Sequence, residues 1–149
     1  LVGDIDSLNP SSLDRSTLTK WHNEKIIFWK GWINDVKSIL KETDILCLPS
    51  YREGLPKALI EGAAYGLPIV TTDTVGCRDV VKDGVNGYLV PVKNIDELSK
   101  KLLVLIKNKM LRKKMGKESH KMALTKFSST KINAQTMQLY DELFFELNK

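Results

Sequence analysis

Two glutamates, Glu53 and Glu61, stand eight residues apart in the stretch REGLPKALIEGAAYGLP, with Gly54, Leu55 and Pro56 between them. Proline suits the first turn of a helix, because its fixed φ matches and its missing N–H would have gone unpaired there. Pro56 therefore predicts that a loop feeds directly into a helix at this point. The open amides near Leu55, Lys57 and Ala58, with the helix dipole behind them, suit a phosphate, and Gly54 lets a ligand come close to the backbone. Glu61 would lie about 7–8 Å along the axis at about 1.5 Å per residue, within reach of a ribose attached to a diphosphate at the helix end. Carboxylates accept paired hydrogen bonds from neighbouring hydroxyls. Glu53, on the loop, would face the hexose hydroxyls on the other side, so a nucleotide sugar gives both acids a use. The plainer alternative pairs Glu61 with Lys57 on the helix surface and leaves Glu53 an exposed loop acid. Lysine placed N-terminal to glutamate at that spacing is the weaker orientation. Residue types alone leave both readings open.

A scaffold must hold such a loop. KIIFWKG, DILCLPS, LPIVTT and GYLVP are short, apolar and bounded by turn residues, which predicts buried strands. Between them SSLDRSTLTKWH, NDVKSILKETD, PKALIEGAAYG and CRDVVKDG carry apolar residues at helical spacing, with Ser11 and Asn34 as candidate caps. Strand and helix in alternation predict an α/β fold, a doubly wound, Rossmann-like parallel sheet whose ligands sit at the carboxyl ends of the strands. Beyond Pro91 the pattern is helical, opening at Asp96 as a cap. The last helix gathers Ile132, Met137, Leu139, Tyr140, Leu143, Phe144 and Leu147 roughly on one side, a core or partner-docking stripe. LVGDID reads as the end of a strand whose start is absent, so residues 1–149 are expected to be a fragment.

A chain of 149 residues, 42% hydrophobic and 28% charged, fits one compact domain. No run approaches the roughly 18 apolar residues of a membrane span, and no signal peptide opens the chain, so a cytoplasmic location is the default. Cys47 and Cys77 lie among apolar neighbours and read as reduced core thiols. His22 and His120 sit in helical segments and read as surface residues. Asp4-Ile5-Asp6 has a D-x-D look, but a three-residue match is weak and no metal is expected. The net charge of +5 is uneven: Lys100 to Lys126 holds ten basic residues against Glu118 alone, +9 there and −4 elsewhere. Such a stretch suits an anionic membrane surface or a solvated helix face. It contains no aromatic residue before Phe127, which argues against nucleic acid as a partner.

The segment PSYREGLPKALIEGAAYGLPIVTTDTVGCRDVVKDGVNGYLVP, with its E-x-x-x-x-x-x-x-E at Glu53 and Glu61, resembles the retaining glycosyltransferases of family four. These have the GT-B fold, and the likeness runs from Leu1 to about Phe127 and looks most like bacterial capsule, O-antigen or protein-glycan enzymes. The resemblance implies transfer of a hexose or N-acetylhexosamine from a nucleoside-diphosphate sugar, with a UDP-sugar as the expected donor, to a glycan or lipid-linked acceptor, without a cofactor or metal. It implies that Glu53 is catalytic, near the reacting centre. Gly54, Leu55 and Pro56 would line the sugar and phosphates, Glu61 would hold the ribose, Trp32 and Ile33 would lie beside the base, and Val75 and Gly76 would border the donor from a loop after Ile69–Thr72. The family's diphosphate-gripping Arg and Lys, and an N-terminal acceptor domain, have no match here. The chain is thus expected to be the donor-binding half, inactive alone, with a peripheral place at the inner face of the plasma membrane. Two rivals remain: a nucleotide-sugar epimerase of related fold, and a basic module that binds membrane or nucleic acid through Lys100 to Lys126.

Overall fold

The structure is a computed structural model that describes residues 1–6, 8 and 12–147, the side chain of Leu147 excepted. Its contacts form two compact units, residues 1–39 and 40–149, where chain length suggested one.

In the first unit, α1 (Arg15–Asn23) is capped by Asp14, whose carboxylate accepts from the Thr17 amide at 2.8 Å. Ser11, the cap expected from sequence, lies outside the described residues. The Ser16 hydroxyl, then the Thr17 amide, hold the Asp14 carboxyl down to about 2. Lys25 to Gly31 is not the sheet strand that its apolar run suggested. It runs alongside the N-terminal segment instead, with Leu1 donating to the Phe28 carbonyl, Lys30 to Leu1 and Gly3 to Gly31. An apolar run records that a segment is covered, and here the indole of Trp29 does the tying, donating to the Gly3 carbonyl at 2.9 Å under the Arg15 guanidinium. α2 (Val36–Lys41) carries the chain onward. Asp35, not Asn34, caps it, accepting from the Ser38 amide at 3.3 Å, while Asn34 takes the Trp32 indole N–H.

In the second unit, β1 (Leu46–Leu48), β2 (Ile69–Thr72) and β3 (Gly87–Val90) form a parallel sheet in that order, with Cys47 opposite Val70 and Val70 opposite Tyr88. Helices α3 (Lys57–Ala64) and α4 (Val75–Val80) make the crossovers. Alternation along the central strand decides what each face meets. Ile69 turns toward Leu59, Ala63, Cys77 and Val80, while Val70 turns toward Leu105 and Met115. The second group comes from α5 (Ile95–Lys107) and α6 (Lys109–Lys126), so both faces are covered and all of β2 is buried. This is the doubly wound α/β arrangement expected from sequence.

Three expectations need correction. Asn94, not Asp96, caps α5, accepting from the Glu97 amide at 3.0 Å; Asp96 instead adds its charge to the first turn, where the dipole favours it. Cys77 is buried as expected, but Cys47 is exposed: it sits on the edge strand, on the side where α5 packs against β2 and β3. Of the two readings of the apolar stripe of α7 (Ser129–Leu147), core or docking surface, the structure overturns core, since Ile132, Met137, Leu139, Tyr140, Leu143 and Phe144 are 45–67% exposed. Helical spacing sorts residues onto a face, but burial needs a second surface within the same structure.

Candidate functional site

The loop from Pro49 to Pro56 leaves the carboxyl end of β1 and opens α3. Two buried threonines of β2 fix its root: the Thr71 hydroxyl donates to the Leu48 carbonyl at 2.7 Å, and the Thr72 hydroxyl donates to the Ser50 carbonyl. Pro56 is buried and serves as the N-cap of α3, extended at φ −72° and ψ 105°, one position earlier than its fit to a first turn suggested. Its carbonyl takes the Leu59 and Ile60 amides, so those donors are spent inside the helix. Among the described residues, the amides of Leu55, Lys57 and Ala58 have no hydrogen-bond partner. They are the donors that an anion at this helix end would meet.

The far side of the loop rests on α4. A Cβ at Gly76 would stand 2.0 Å from the Gly54 carbonyl oxygen and 2.7 Å from that of Glu53, so only glycine lets these backbones touch. A Cβ at Gly54 would meet nothing within 4 Å. One side of the loop is therefore braced and the other is open. Glu53, Gly54 and Gly76 are brought together. Val75 and Gly76 are not loop residues, however, but the first turn of α4, with Val75 largely exposed; Thr74 in extended conformation ends the connection earlier than expected.

Glu61 lies in the second turn of α3, half-buried, with Lys57 Nζ 3.6 Å from its Oε1. The surface pair of the plainer reading thus exists. It is long, and both partners meet solvent, so it is worth about 0–1 kcal/mol at most and leaves the carboxylate able to accept from a ligand. Trp32 and Ile33 belong to the first unit, where Trp32 is 76% exposed with its indole on Asn34. Asp4 of the D-x-D triplet pairs with Arg15 at 3.2 Å, and Asp6 accepts from the Leu8 amide. No cluster of three metal-ligating side chains occurs among the described residues.

Both histidines have structural uses that the sequence did not disclose. His22 Nδ1 accepts from the Trp29 amide at 3.1 Å, and His120 Nδ1 donates to the Ala64 carbonyl at the end of α3, 2.7 Å away. A hollow that no motif marked also lies at the carboxyl ends of the strands. It is lined by Pro49, Tyr51, Thr72, Val90, Lys93 and Asn94, with the Lys93 ammonium 5.5 Å from the centre of the Tyr51 ring.

Comparison with known proteins decides the family. Residues 13–122, well over half of the chain, match the model of the glycosyl transferases group 1 family. The chain belongs to that family. Among relatives of this group 1 chain, it is 32% identical over 143 residues to the N,N'-diacetylbacillosaminyl-diphospho-undecaprenol alpha-1,3-N-acetylgalactosaminyltransferase of Campylobacter jejuni, covering 96% of this chain and 36% of that protein. It is 32% identical to the UDP-Gal:alpha-D-GlcNAc-diphosphoundecaprenol alpha-1,3-galactosyltransferase of Escherichia coli, over 74% of this chain and 28% of the relative. The chain thus spans about a third of the length of the curated relatives it matches. Its fold matches that of Anabaena HepE, solved in complex with UDP, at a TM-score of 0.86 and 20% identity, over 95% of this chain and 40% of the other. The fold is of GT-B type, and relatives include a capsular polysaccharide biosynthesis glycosyltransferase of Staphylococcus aureus. No helix among the described residues is long and apolar enough to cross a membrane.

Proposed function

We propose that the chain binds the donor in a retaining glycosyltransferase, which moves a hexose or N-acetylhexosamine from a nucleoside-diphosphate sugar, with UDP as the nucleotide, to a glycan or lipid-linked acceptor in bacterial surface polysaccharide synthesis. The supporting observation is the loop at Gly54: braced by Gly76 behind, open in front, and followed by unpaired amides at the mouth of α3. The diphosphate lies across those amides. Glu61, a turn further on, accepts from the ribose hydroxyls. Glu53 faces the sugar at the reacting carbon. Val75 borders the donor from α4. An acceptor-binding domain completes the enzyme.

The chemistry breaks the bond between the anomeric carbon and the diphosphate, forms one from the same carbon to an acceptor hydroxyl oxygen, and passes that hydroxyl's proton to the departing diphosphate. Amide dipoles fixed at the leaving group stabilise the charge that develops there, without having to reorganise. Glu53 stabilises the positive charge that develops on the sugar ring. Neither step calls for a cofactor.

Calorimetric titration of the full chain with UDP and GDP tests this reading. UDP is expected to bind, and Glu61→Ala is expected to weaken it about tenfold or more, the loss of hydrogen bonds to a charged acceptor. No binding of either nucleotide, or equal UDP affinity in E61A, overturns it.

A further inference from the structure

We infer that the outward face of α6 is a docking surface for an anionic lipid bilayer. The helix buries Met115, Gly116, Ser119 and Ala123. At 3.6 residues per turn, the opposite side gathers Met110, Lys113, Lys114, Lys117, Lys121 and Leu124 within an arc of about 100°. All six are exposed, Met110 by 75% and Leu124 by 59%. None of the four lysines forms an ion pair among the described residues, and the one acid of the helix, Glu118, is half-buried on its flank.

Met110 and Leu124, both exposed, bracket the lysines about 21 Å apart along the axis. The end of α5, across the break at Asn108, also exposes Ile106 and Lys107. Apolar side chains that can enter the headgroup boundary, among lysines whose stems can lie flat while their ammonium groups reach phosphates, form an interfacial pattern. Charge complementarity selects the bilayer. Nucleic acid is the weaker fit, because residues 100–126 contain no aromatic ring for a base to stack on. The inference rests on the proposed function only for its purpose: a lipid-linked acceptor keeps the reaction at a membrane.

Flotation of the full chain with vesicles of mixed phosphatidylglycerol and phosphatidylcholine, against phosphatidylcholine alone, tests it. Binding is expected only to the anionic vesicles and is expected to weaken with salt. The K113A/K114A/K117A variant should lose about a hundredfold in affinity, since each lysine near a charged surface contributes about a factor of five. M110S/L124S should lose several-fold. Both variants should keep the native circular dichroism spectrum and UDP affinity. Vesicle binding without UDP binding would sink the donor reading and leave this one standing. Equal binding to neutral vesicles, binding unchanged in the lysine variant, or binding to duplex DNA in preference to vesicles overturns the inference.

Discussion

At Gly76 a methyl group would stand 2.0 Å from the carbonyl oxygen of Gly54; at Gly116 it would stand 2.1 Å from that of Gly66. Both contacts press a helix onto a loop backbone, and both need glycine. They differ in what lies beyond. Past Gly54 is open space at the mouth of α3, whereas past Gly66 is the α3–α6 seam, where His120 also holds the Ala64 carbonyl. The first junction shapes a surface that can receive a ligand, and the second holds the scaffold shut. Equal tightness of packing therefore does not mean equal consequence: position relative to solvent decides whether a contact serves binding or stability.

The sharpest way to break this comparison is to fill each contact in turn. Gly76→Ala should cost about 2–3 kcal/mol, as overpacking against backbone does, and should also abolish measurable UDP binding, because the loop of Glu53 and Gly54 must move. Gly116→Ala should lower the urea midpoint by a cost of about 1–3 kcal/mol, while the folded fraction binds UDP as before. If G116A loses UDP binding as completely as G76A, the two junctions are not distinct. His120→Ala sharpens the seam alone: loss of its hydrogen bond should cost about 1 kcal/mol in denaturation, with no change in nucleotide affinity. Lys57→Ala should shift stability by less than about 0.5 kcal/mol, since its pair with Glu61 is exposed.

The smallest effect belongs to the first unit, where Asp14 caps α1. Its folded carboxyl titrates at about 2, below the ordinary aspartate value of about 4, so its contribution is fully present above that ordinary value and is lost as pH falls from about 4 to about 2. A carboxyl carbon titration by NMR should show a midpoint near 2, moving up toward the ordinary value in the Ser16→Ala variant. A midpoint already near 4 in the unaltered chain would remove the cap from the account of α1.

The three strands of the sheet were legible because each is a short stretch rich in aliphatic, β-branched or aromatic residues between turn residues, and β2, buried on both sides, is the clearest. Lys25 to Gly31 has the same look and a different fate, because apolar composition does not say which segment pairs with it. Caps shifted by a residue or two, from Asp96 to Asn94 and from Asn34 to Asp35, since any nearby acid or amide can fill the role and geometry selects one. The α7 stripe is visible in sequence, but its exposure is not, because burial depends on a partner surface. At the site, Glu53, Glu61 and the glycine-proline step announced themselves by residue type and spacing. The brace at Gly76 did not: it is a contact between segments some twenty residues apart, and VGC carries no sign of what its glycine touches. The threonine hydroxyls of Thr71 and Thr72 on the β1 exit were hidden for the same reason.

The central claim is that a nucleoside diphosphate sits on the amides at the start of α3. Titrating the full, nitrogen-15-labelled chain with UDP and following its amide resonances tests it directly. The expected result is saturable movement of Leu55, Lys57, Ala58 and Glu61, with Gly116 and His120 unmoved. Resonances of the α3 mouth that stay fixed while UDP, GDP and their sugars are each added to excess would contradict it.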